Sequence, residues 1–371
     1  MPHPHIGASL ETLDTPAMLI DLTLMEANIA RLMERLRGSH VHVRPHLKTV
    51  KSPDLARLLL AAGAVGGCVA KVSEAEVMVQ DGITDLLITT EIIGKPKLER
   101  LVRLVQQSPH IKVVMDSLAG AQALNQAMHE AHLHIDVLLD LNVGQNRCGV
   151  LPGEEALHLA RALRGLSHLH LRGVQGYEGH LQHMHDPEER SQRCHQAMHL
   201  LTGTAAQLRA DGFAIDIVST GGTGTAEICA SHEGVTEVQP GSFVFMDTDY
   251  RNAIGPVYAN ALTILSTVIS QPAPTRAVVD AGLKSLSTDS GMPEPKDLPG
   301  VTYRPGGDEH GILTWEEGAL PAASGSLSIG GRIELLPSHI DTTVNLHDVY
   351  YAHREGKLEA IWLVKARGKV Q

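Results

Sequence analysis

Two hydrophobic periods alternate along most of the chain. Short runs rich in β-branched residues are each followed by a segment whose apolar residues recur at helical spacing. The strand-like runs are residues 41–48, 66–70, 85–89, 112–116, 136–141, 171–177, 216–220 and 237–243. The helix-like segments between them include residues 53–62, 73–80, 95–106, 118–131, 154–163 and 187–209. Eight β units with helical spacers predict a (β/α)8 barrel of the TIM type, with a doubly wound open sheet as the structural alternative.

The pattern changes near residue 258. Six strand-like runs follow, separated by glycine and proline and without a helical stretch between them: 262–269, 276–280, 311–315, 332–336, 344–352 and 358–366. Such a series of short strands predicts an antiparallel β domain. We therefore place the barrel domain at residues 25–255 and the β domain at residues 256–371, with residues 1–24 as a candidate addition to the β domain.

Composition limits the class of ligand. The chain has 371 residues, of which 43% are hydrophobic and 20% charged, as is typical of globular proteins. A formal net charge of -11 argues against a nucleic acid or an anionic membrane as partner, because both require a basic surface. The four cysteines are scattered, the first residues lack the pattern of an export signal, and no apolar run reaches the roughly 20 residues of a membrane helix. We expect a cytoplasmic protein with a small-molecule ligand.

Lys48 ends the first strand-like run. Active-site residues of barrels lie at the carboxyl ends of the strands, so this lysine is expected where a ligand binds. Arg44 and His46 precede Lys48 by four and two residues, so a strand would place all three side chains on one face. Three cations on one strand face are unfavourable unless they meet an anionic ligand. The alternative is a strand that ends in a solvated basic residue.

Two glycine-containing loops follow the predicted strands 7 and 8, where phosphate groups bind in barrels of this kind. Thr220-Gly-Gly-Thr-Gly224 contributes Gly222, Thr223 and Gly224, and Pro240-Gly-Ser242 contributes Gly241 and Ser242. Glycine lets backbone amides approach an anion, and the helix after the first loop would direct its positive end inward, although glycine also serves tight turns. A phosphate cup together with Lys48 indicates pyridoxal phosphate bound covalently by that lysine.

Six motifs occur in order along the chain. They are Arg44-Pro-His-Leu-Lys48, Lys71-Val-Ser-Glu-Ala75, Val143-Gly-Gln-Asn-Arg-Cys-Gly-Val150, Thr220-Gly-Gly-Thr-Gly224, Gln239-Pro-Gly-Ser-Phe243 and Pro337-Ser-His-Ile-Asp341. Together they resemble the D-threonine aldolase family, which is grouped with the D-serine dehydratases among the alanine-racemase-like, fold-type III enzymes of pyridoxal phosphate. The resemblance extends from about residue 13 to about residue 368.

The resemblance assigns roles to residues of the barrel. It implies that Lys48 forms the covalent link to the cofactor, that Arg147 lies beside the cofactor ring and that Tyr177 contacts the cofactor. From the residues alone, Arg147 is equally well explained as a surface ion-pair partner, and Tyr177 as a packing residue of the core.

The resemblance also implies that His183 is the general base for a substrate hydroxyl. His180 and His185 lie close to it in the sequence, and three neighbouring histidines are typical of a metal-binding tract or of a solvated loop. The choice of His183 among them therefore depends on the resemblance.

His339 and Asp341 are the predicted metal ligands. They alternate in a strand-like turn after Pro337, so their side chains are expected on one face. An imidazole and a carboxylate suit Mn²⁺, Mg²⁺ or Zn²⁺ with open positions for a substrate, although a hydrogen-bonded His/Asp turn is the alternative. The dehydratase branch has a His-x-Cys pair here, whose thiolate favours zinc. Asp341 therefore favours an aldolase, with Mn²⁺ as the expected metal.

Taken together, the resemblance implies an aldolase that depends on pyridoxal 5'-phosphate and a divalent metal. It would cleave β-hydroxy-D-amino acids such as D-threonine to glycine and an aldehyde. A dehydratase acting on D-serine or 3-hydroxy-D-aspartate is the first alternative, and a non-catalytic pyridoxal phosphate-binding protein is the second. The predicted metal pair argues against the second, because a binding barrel needs no metal. Related enzymes close the barrel mouth with the β domain of a partner subunit, which implies a head-to-tail homodimer.

Overall fold

The computed structural model describes residues 4–318 and 327–371. The chain forms two compact units, which we call the barrel unit (residues 32–241 and 368–371) and the β unit (residues up to 31 and 242–367). Residues 319–326 of the predicted β domain and residues 1–3 of its candidate addition lie outside the described residues.

The elements are numbered in chain order. The strands are β1 (Ala17–Asp21), β2 (His42–Val43), β3 (Gly67–Val69), β4 (Leu86–Ile88), β5 (Lys112–Met115), β6 (Ile135–Asp140), β7 (Leu169–Gln175), β8 (Ile217–Thr220), β9 (Glu237–Val238), β10 (Leu262–Ala273), β11 (Arg276–Val279), β12 (Glu294–Pro295), β13 (Thr302–Pro305), β14 (Gly311–Thr314), β15 (Arg332–Leu336), β16 (Val349–Arg354) and β17 (Lys357–Leu363). The helices are α1 (Leu22–Arg35), α2 (Pro53–Ala61), α3 (Val72–Gln80), α4 (Lys95–Gln107), α5 (Leu118–Glu130), α6 (Glu154–Leu163), α7 (Pro187–Ala210), α8 (Ala226–Ala230), α9 (Thr248–Ile254) and α10 (Ile340–Val344). None of the described helices combines the length and the apolar character that crossing a membrane requires.

Eight parallel strands form the sheet of the barrel unit, in the order β2-β9-β8-β7-β6-β5-β4-β3. A bridge between His46 and Cys68 closes the circle, with the Leu47 amide 2.7 Å from the Cys68 carbonyl oxygen. The predicted (β/α)8 barrel is therefore confirmed, and the ends of α2 to α7 differ from the predicted helices by at most one residue. A cluster of buried side chains from four neighbouring strands fills part of the unit: Cys68, Leu87, Val114 and Leu138.

The first barrel strand is shorter than predicted. Residues 41–48 have the pattern of one strand, but only two of them pair as β2, and Lys48 lies in the turn that follows the His46 bridge. Pro45 explains the interruption, because proline has no amide hydrogen to donate to a strand ladder. Lys48 nevertheless follows the carboxyl end of the strand.

The β unit is built on a sheet with the path β13-β14-β11-β10-β1-β16-β17, in which β15 pairs with β10 and β12. Strand β1 lies inside this path, antiparallel to β10 and parallel to β16. The parallel pair differs from the antiparallel domain that we predicted, because β1 comes from the start of the chain and not from a hairpin. Met18, Leu19 and Ile20 are completely buried, as expected for a central strand.

A helix interrupts the strands of the β unit, contrary to our prediction. Residues 344–352 have a strand-like pattern, but α10 ends at Val344 and β16 begins at Val349. Ile340 and Val344 are four residues apart and completely buried, so helical geometry places them on one apolar face. The predicted metal ligands His339 and Asp341 therefore lie at the start of a helix.

The segment after β9 belongs to the β unit from Ser242 onward. The Ala261 amide donates to the Phe245 carbonyl oxygen at 2.7 Å, and the Ile340 amide donates to the Asp247 carboxylate at 3.0 Å. Residues 242–254 therefore belong to the β unit, although the sequence pattern changes only near residue 258 and we placed the domain boundary at residue 255.

Candidate functional site

The turn that carries Lys48 is held by hydrogen bonds on both sides. The Lys48 amide lies 3.4 Å from Nδ1 of His46, and Nε2 of His46 lies 3.0 Å from the Thr89 hydroxyl. The Lys51 amide donates to the Leu47 carbonyl oxygen at 2.8 Å. Lys48 is partly buried. Its side chain therefore starts from a fixed position at the end of the first barrel strand.

Arg44 does not form a ligand-binding face with Lys48. Its guanidinium is buried, and it donates to the Glu237 carboxylate at 2.9 and 3.0 Å and to the Asp85 carboxylate at 2.6 Å. Burial disfavours the charge, but the hydrogen bond and the charge of Glu237 raise the pKa of Arg44 above its ordinary value. The expectation that Arg44, His46 and Lys48 serve one anion is therefore wrong, because protein carboxylates neutralise Arg44.

The loop after β8, Thr220–Gly224, is called the glycine loop below. The Gly222 amide donates to the Thr225 hydroxyl at 3.1 Å, and the Gly224 amide donates to the side-chain oxygen of Gln182 at 2.9 Å. Two amides that we expected to face an anion are thus used to hold the loop itself.

Side chains pack closely against the glycine loop. A Cβ at Gly222 would lie 2.5 Å from Oε1 of Gln182, and a Cβ at Gly224 would lie 2.5 Å from the Gln182 carbonyl oxygen. Helix α8, which follows the loop, has only five residues, so its dipole contributes less than the helix end that we expected. The loop is a closely packed cradle whose shape depends on glycine.

The turn after β9 packs against the segment that carries the lysine. The Pro240 carbonyl oxygen accepts the His46 amide at 3.0 Å, and a Cβ at Gly241 would lie 2.5 Å from the Thr49 hydroxyl. Within the part of the chain that the structure describes, the amides of Gly241 and Ser242 donate to no protein acceptor. The Gly241 amide thus follows β9 beside the lysine turn of the same unit, an arrangement that fits a cofactor with both an aldehyde and a phosphate.

Arg147 and Tyr177 come together from the loops after β6 and β7. The guanidinium carbon of Arg147 lies 5.7 Å from the centre of the Tyr177 ring, within the range of a cation–π contact. The Asn142 side chain accepts the amides of Gly144 and Asn146 at 3.1 and 3.0 Å and so shapes the loop before Arg147. Tyr177 is only partly buried, so it is not a core residue. The contact of either residue with a cofactor stays a prediction.

His183 lies in an exposed position just after the 3-10 turn Gly179–Leu181. His180, within that turn, lies beside the Arg147 loop, since a Cβ at Gly144 would be 3.0 Å from its ring. Burial lowers the pKa of His180 below its ordinary value. The role of His183 as a base stays a prediction, and His180 is a second candidate that the structure adds.

The sequence analysis missed a chain of buried polar groups in the barrel unit. Gln175 donates to the Asp140 carboxylate at 3.0 Å, and Gln239 donates to the Gln175 side-chain oxygen at 3.0 Å and to the Ser219 hydroxyl at 2.7 Å. Burial and the neighbouring Glu91 raise the pKa of Asp140 to about 7. The sequence signal for this chain of polar groups was Asp140, a polar residue at the end of the largely apolar strand β6.

The predicted metal pair lies at the start of α10 and not on a strand-like turn. His339 is the N-cap residue, with extended backbone, and Asp341 belongs to the first helical turn. Nδ1 of His339 lies 2.7 Å from the Asp289 carboxylate, which leaves Nε2 as the ligand atom of the imidazole. The expected strand geometry is wrong, because the apolar residues of this segment follow a helical period.

Asp289 is a residue of this site that the sequence analysis missed. Its carboxylate accepts hydrogen bonds from the hydroxyls of Ser287 at 2.5 Å and Thr342 at 2.9 Å. Partial burial by itself raises the pKa of Asp289, but the hydrogen bonds from Ser287, His339 and Thr342 outweigh burial and lower it to about 2. A charged carboxylate is thus fixed beside the imidazole, as is common where an acidic side chain orients a metal-binding histidine.

Comparison with known proteins matches both units. The family model described as alanine racemase, N-terminal domain, matches residues 20–249, and that described as putative serine dehydratase domain matches residues 261–353. The chain is 41% identical to D-threonine aldolase of Arthrobacter sp, over 98% of this chain and 95% of the relative. The crystal structure of D-threonine aldolase from Filomicrobium marinum is similar with a TM-score of 0.94 and 42% identity, over 99% of each chain. A mutant of D-threo-3-hydroxyaspartate dehydratase in the metal-free form is similar with a TM-score of 0.87 and 32% identity, over 96% of this chain and 98% of that one.

Proposed function

The chain belongs to the D-threonine aldolase family of alanine-racemase-like pyridoxal phosphate enzymes, and we propose that it is a carbon–carbon lyase for β-hydroxy-D-amino acids. It cleaves substrates of the D-threonine type to glycine and an aldehyde, with pyridoxal 5'-phosphate and a divalent metal. The observation that carries the proposal is the packing of the lysine turn against the Gly241 turn, supported by the His339–Asp289 pair.

The cofactor residues in this proposal all follow strands of the barrel. Lys48 binds the aldehyde of the cofactor, Arg147 and Tyr177 border its ring, and the phosphate contacts fall on Thr223, Gly241 and Ser242. Gly222 and Gly224 contribute by shaping the glycine loop. When bound, pyridoxal phosphate supplies an electron sink for the bond that breaks at the α carbon of the amino acid.

The metal residues in this proposal are His339, through Nε2, and Asp341, through a carboxylate oxygen. Asp289 orients the imidazole. One nitrogen and one oxygen donor without a thiolate fit Mn²⁺, and Mg²⁺ or Zn²⁺ are alternatives. A metal ion held by His339 and Asp341 would supply Lewis-acid polarisation of the substrate hydroxyl, because two protein ligands would leave coordination positions open.

His183 accepts the proton of the substrate hydroxyl in this proposal, because an imidazole can take up a proton at neutral pH. His180 is the competing base. The paired variants His183→Asn and His180→Asn separate the two, since loss of the base lowers kcat by about 10²- to 10⁴-fold whereas loss of a neighbour does not.

The second candidate function is a dehydratase acting on D-serine or 3-hydroxy-D-aspartate. The similarity to the dehydratase structure over nearly the whole chain supports it. Asp341 weighs against it, because a carboxylate at this position favours a harder metal than the thiolate that we expect in dehydratases. A non-catalytic binding protein would not need the His339–Asp289 pair.

We also propose a cytoplasmic head-to-tail homodimer that binds neither nucleic acid nor membrane. The net charge of -11 supports the absence of such partners, and three of the four cysteines are buried free thiols, as suits a reducing compartment. The dimer depends on the family resemblance. Sedimentation at nanomolar concentration checks it, and a fully active monomer would contradict it.

Product analysis tests the proposed reaction. The purified protein is incubated with D-threonine, pyridoxal phosphate and Mn²⁺, and the products are identified by chromatography. We expect glycine and acetaldehyde in equal amounts, and none from L-threonine. A 2-oxo acid with ammonia would identify a dehydratase, and unchanged substrate would leave only a binding role.

A further inference from the structure

Glu178 is completely buried just beyond β7, and both of its carboxylate oxygens accept hydrogen bonds. Oε2 accepts the Gly221 amide at 3.4 Å and lies 2.9 Å from the Thr220 hydroxyl, whose proton it shares with the Gly176 carbonyl oxygen at 2.7 Å. Oε1 accepts the Thr225 hydroxyl at 2.5 Å and the Gln182 side-chain amide at 3.1 Å. One carboxylate thus receives donors from the first residues of the glycine loop and from the residue that follows it.

Thr225 and Gln182 extend this anchoring to the middle of the loop. The Thr225 hydroxyl accepts the Gly222 amide at 3.1 Å and the Gln182 side-chain amide at 2.8 Å. Oε1 of Gln182 accepts the Gly224 amide at 2.9 Å. Hydrogen bonds thus connect four of the five residues of the glycine loop to a single buried carboxylate, directly or through Thr225 and Gln182.

The two acceptor oxygens of a carboxylate explain why a glutamate suits this position. A buried carboxylate is unfavourable unless several donors surround it, and the donors around Glu178 are neutral hydroxyls and amides. Hydrogen bonds to an ionised acceptor are shorter and stronger than those between neutral groups. A glutamine at this position would turn an amide group toward donors and leave at least one of them without an acceptor.

A metal centre is the competing explanation of this cluster. Ligand atoms of Glu178, Cys194 and Cys229 all lie within 4.8 Å of one another, and the two sulfur atoms are 3.5 Å apart. The carboxylate oxygens already accept hydrogen bonds, however, and the Cys229 thiol itself donates to Oε1 at 3.6 Å. Burial raises the pKa of the Cys229 thiol well above its ordinary value, so a metal ion would have to displace this proton as well as the hydrogen bonds to Glu178. The cysteine therefore acts as one more donor to the carboxylate.

We propose that Glu178 is a positioning residue that holds the glycine loop in the shape that binds a phosphate monoester. The inference rests on the proposed function, in which this loop borders the phosphate of the cofactor. Glu178 acts through the loop and touches neither the cofactor nor the substrate. Its replacement should therefore weaken the binding of a phosphorylated ligand and spare a ligand that lacks the phosphate.

The test compares pyridoxal phosphate with pyridoxal, which has the same aldehyde but no phosphate. Dissociation constants are measured by absorbance on full-length protein stripped of cofactor, for the wild type, Glu178→Gln and the control Glu155→Gln. Glu155 is an exposed glutamate in the first turn of α6. We expect Glu178→Gln to weaken pyridoxal phosphate binding by about 10- to 100-fold, as for a lost charged hydrogen bond, and pyridoxal binding by less than about twofold. Glu155→Gln should match the wild type.

The outcomes separate this inference from the proposed function. An equal loss for both ligands would mean that Glu178 only stabilises the fold, and an unchanged preference would mean that it has no effect on the loop. Either result overturns the inference. A wild type that does not prefer the phosphorylated ligand would instead show that the proposed phosphate site is wrong.

A second variant covers the case in which Glu178→Gln does not fold, as judged by circular dichroism. Thr225→Val keeps the size of the side chain and removes the hydroxyl between Glu178 and the Gly222 amide. We expect pyridoxal phosphate binding to weaken by about threefold to tenfold, because the hydroxyl that joins the loop to Glu178 is lost, with pyridoxal binding unchanged. An unaltered ratio of the two constants would overturn the inference.

Discussion

The barrel unit and the β unit position their candidate ligand-binding residues by different means. In the barrel unit, these residues lie on loops after parallel strands, and buried hydrogen bonds such as that from the Gly224 amide to Gln182 fix the loops. In the β unit, His339 and Asp341 begin a helix of five residues, and His339 is held by the single carboxylate of Asp289. The candidate cofactor residues are thus held by contacts between loops of the barrel unit, and His339 by a carboxylate 50 residues away within the β unit. Substitutions should affect the two sites separately.

Replacing Lys48 gives the largest expected effect and leaves the β unit untouched. Lys48→Ala should abolish covalent attachment of the cofactor and lower turnover by about 10³-fold or more, because the attachment point is lost. Mn²⁺ binding should match the wild type. Mass spectrometry after borohydride reduction measures the attachment, and a cofactor trapped on Lys71 or Lys284 would show that the assignment is wrong.

Replacing Asp341 should impair the predicted metal site and leave the cofactor site unchanged. Asp341→Ala should lower D-threonine cleavage by about 10²-fold or more, because the anionic metal ligand is gone, while the absorbance of the bound cofactor stays unchanged. Asp308→Ala, at an exposed carboxylate of the same unit, is the control. Asp341→Cys should shift metal preference toward zinc and lower cleavage with Mn²⁺. Full activity of Asp341→Ala would exclude the pair from the reaction.

Asp289 offers a smaller perturbation of the metal pair. Asp289→Asn keeps the size of the side chain but removes the charge beside Nδ1 of His339, so Mn²⁺ affinity should fall by about 10- to 100-fold. Calorimetric titration measures the affinity. At saturating Mn²⁺ most of the turnover should return, since Asp289 orients a ligand and does not bind the ion. Unaltered affinity would mean that the contact has no role in metal binding.

Gly224 tests the packing of the glycine loop with the smallest expected effect. A Cβ at Gly224 would meet the Gln182 carbonyl oxygen at 2.5 Å, so Gly224→Ala should displace the loop and weaken pyridoxal phosphate binding by about tenfold. Gly203→Ala is the matched control, because Gly203 lies within α7 and a Cβ there has no neighbour within 4 Å. The metal affinity of both variants should equal that of the wild type, and equal cofactor affinity of both would contradict the packing role.

The barrel could be predicted from the sequence because its helices and strands each follow one clear period. The exception, β2, is cut short by the missing amide of Pro45, a local effect within an otherwise regular pattern. The start of α10 was misread because a segment of five helical residues is too short for its period to be distinguished from strand alternation.

The residues that hold the sites in place could not be found in the same way. Asp289 is 50 residues from His339, and Glu178 is 47 residues from Thr225, so neither pair leaves a local pattern in the sequence. Lys48 and Arg147 could be proposed from motifs that follow barrel strands, and Tyr177 from its place at the end of a strand-like run, while their roles stay predictions. Supporting contacts between distant segments depend on the folded structure.

Chelation tests most directly whether the reaction requires both the cofactor and the metal. Protein with bound cofactor is made metal-free, as checked by elemental analysis, and is then given D-threonine while glycine and the cofactor absorbance are followed. We expect glycine release to stop while the absorbance persists, and Mn²⁺ to restore release in the wild type but only poorly in Asp341→Ala. Glycine release at the original rate from the metal-free protein would contradict the metal role and the preference for an aldolase over a dehydratase.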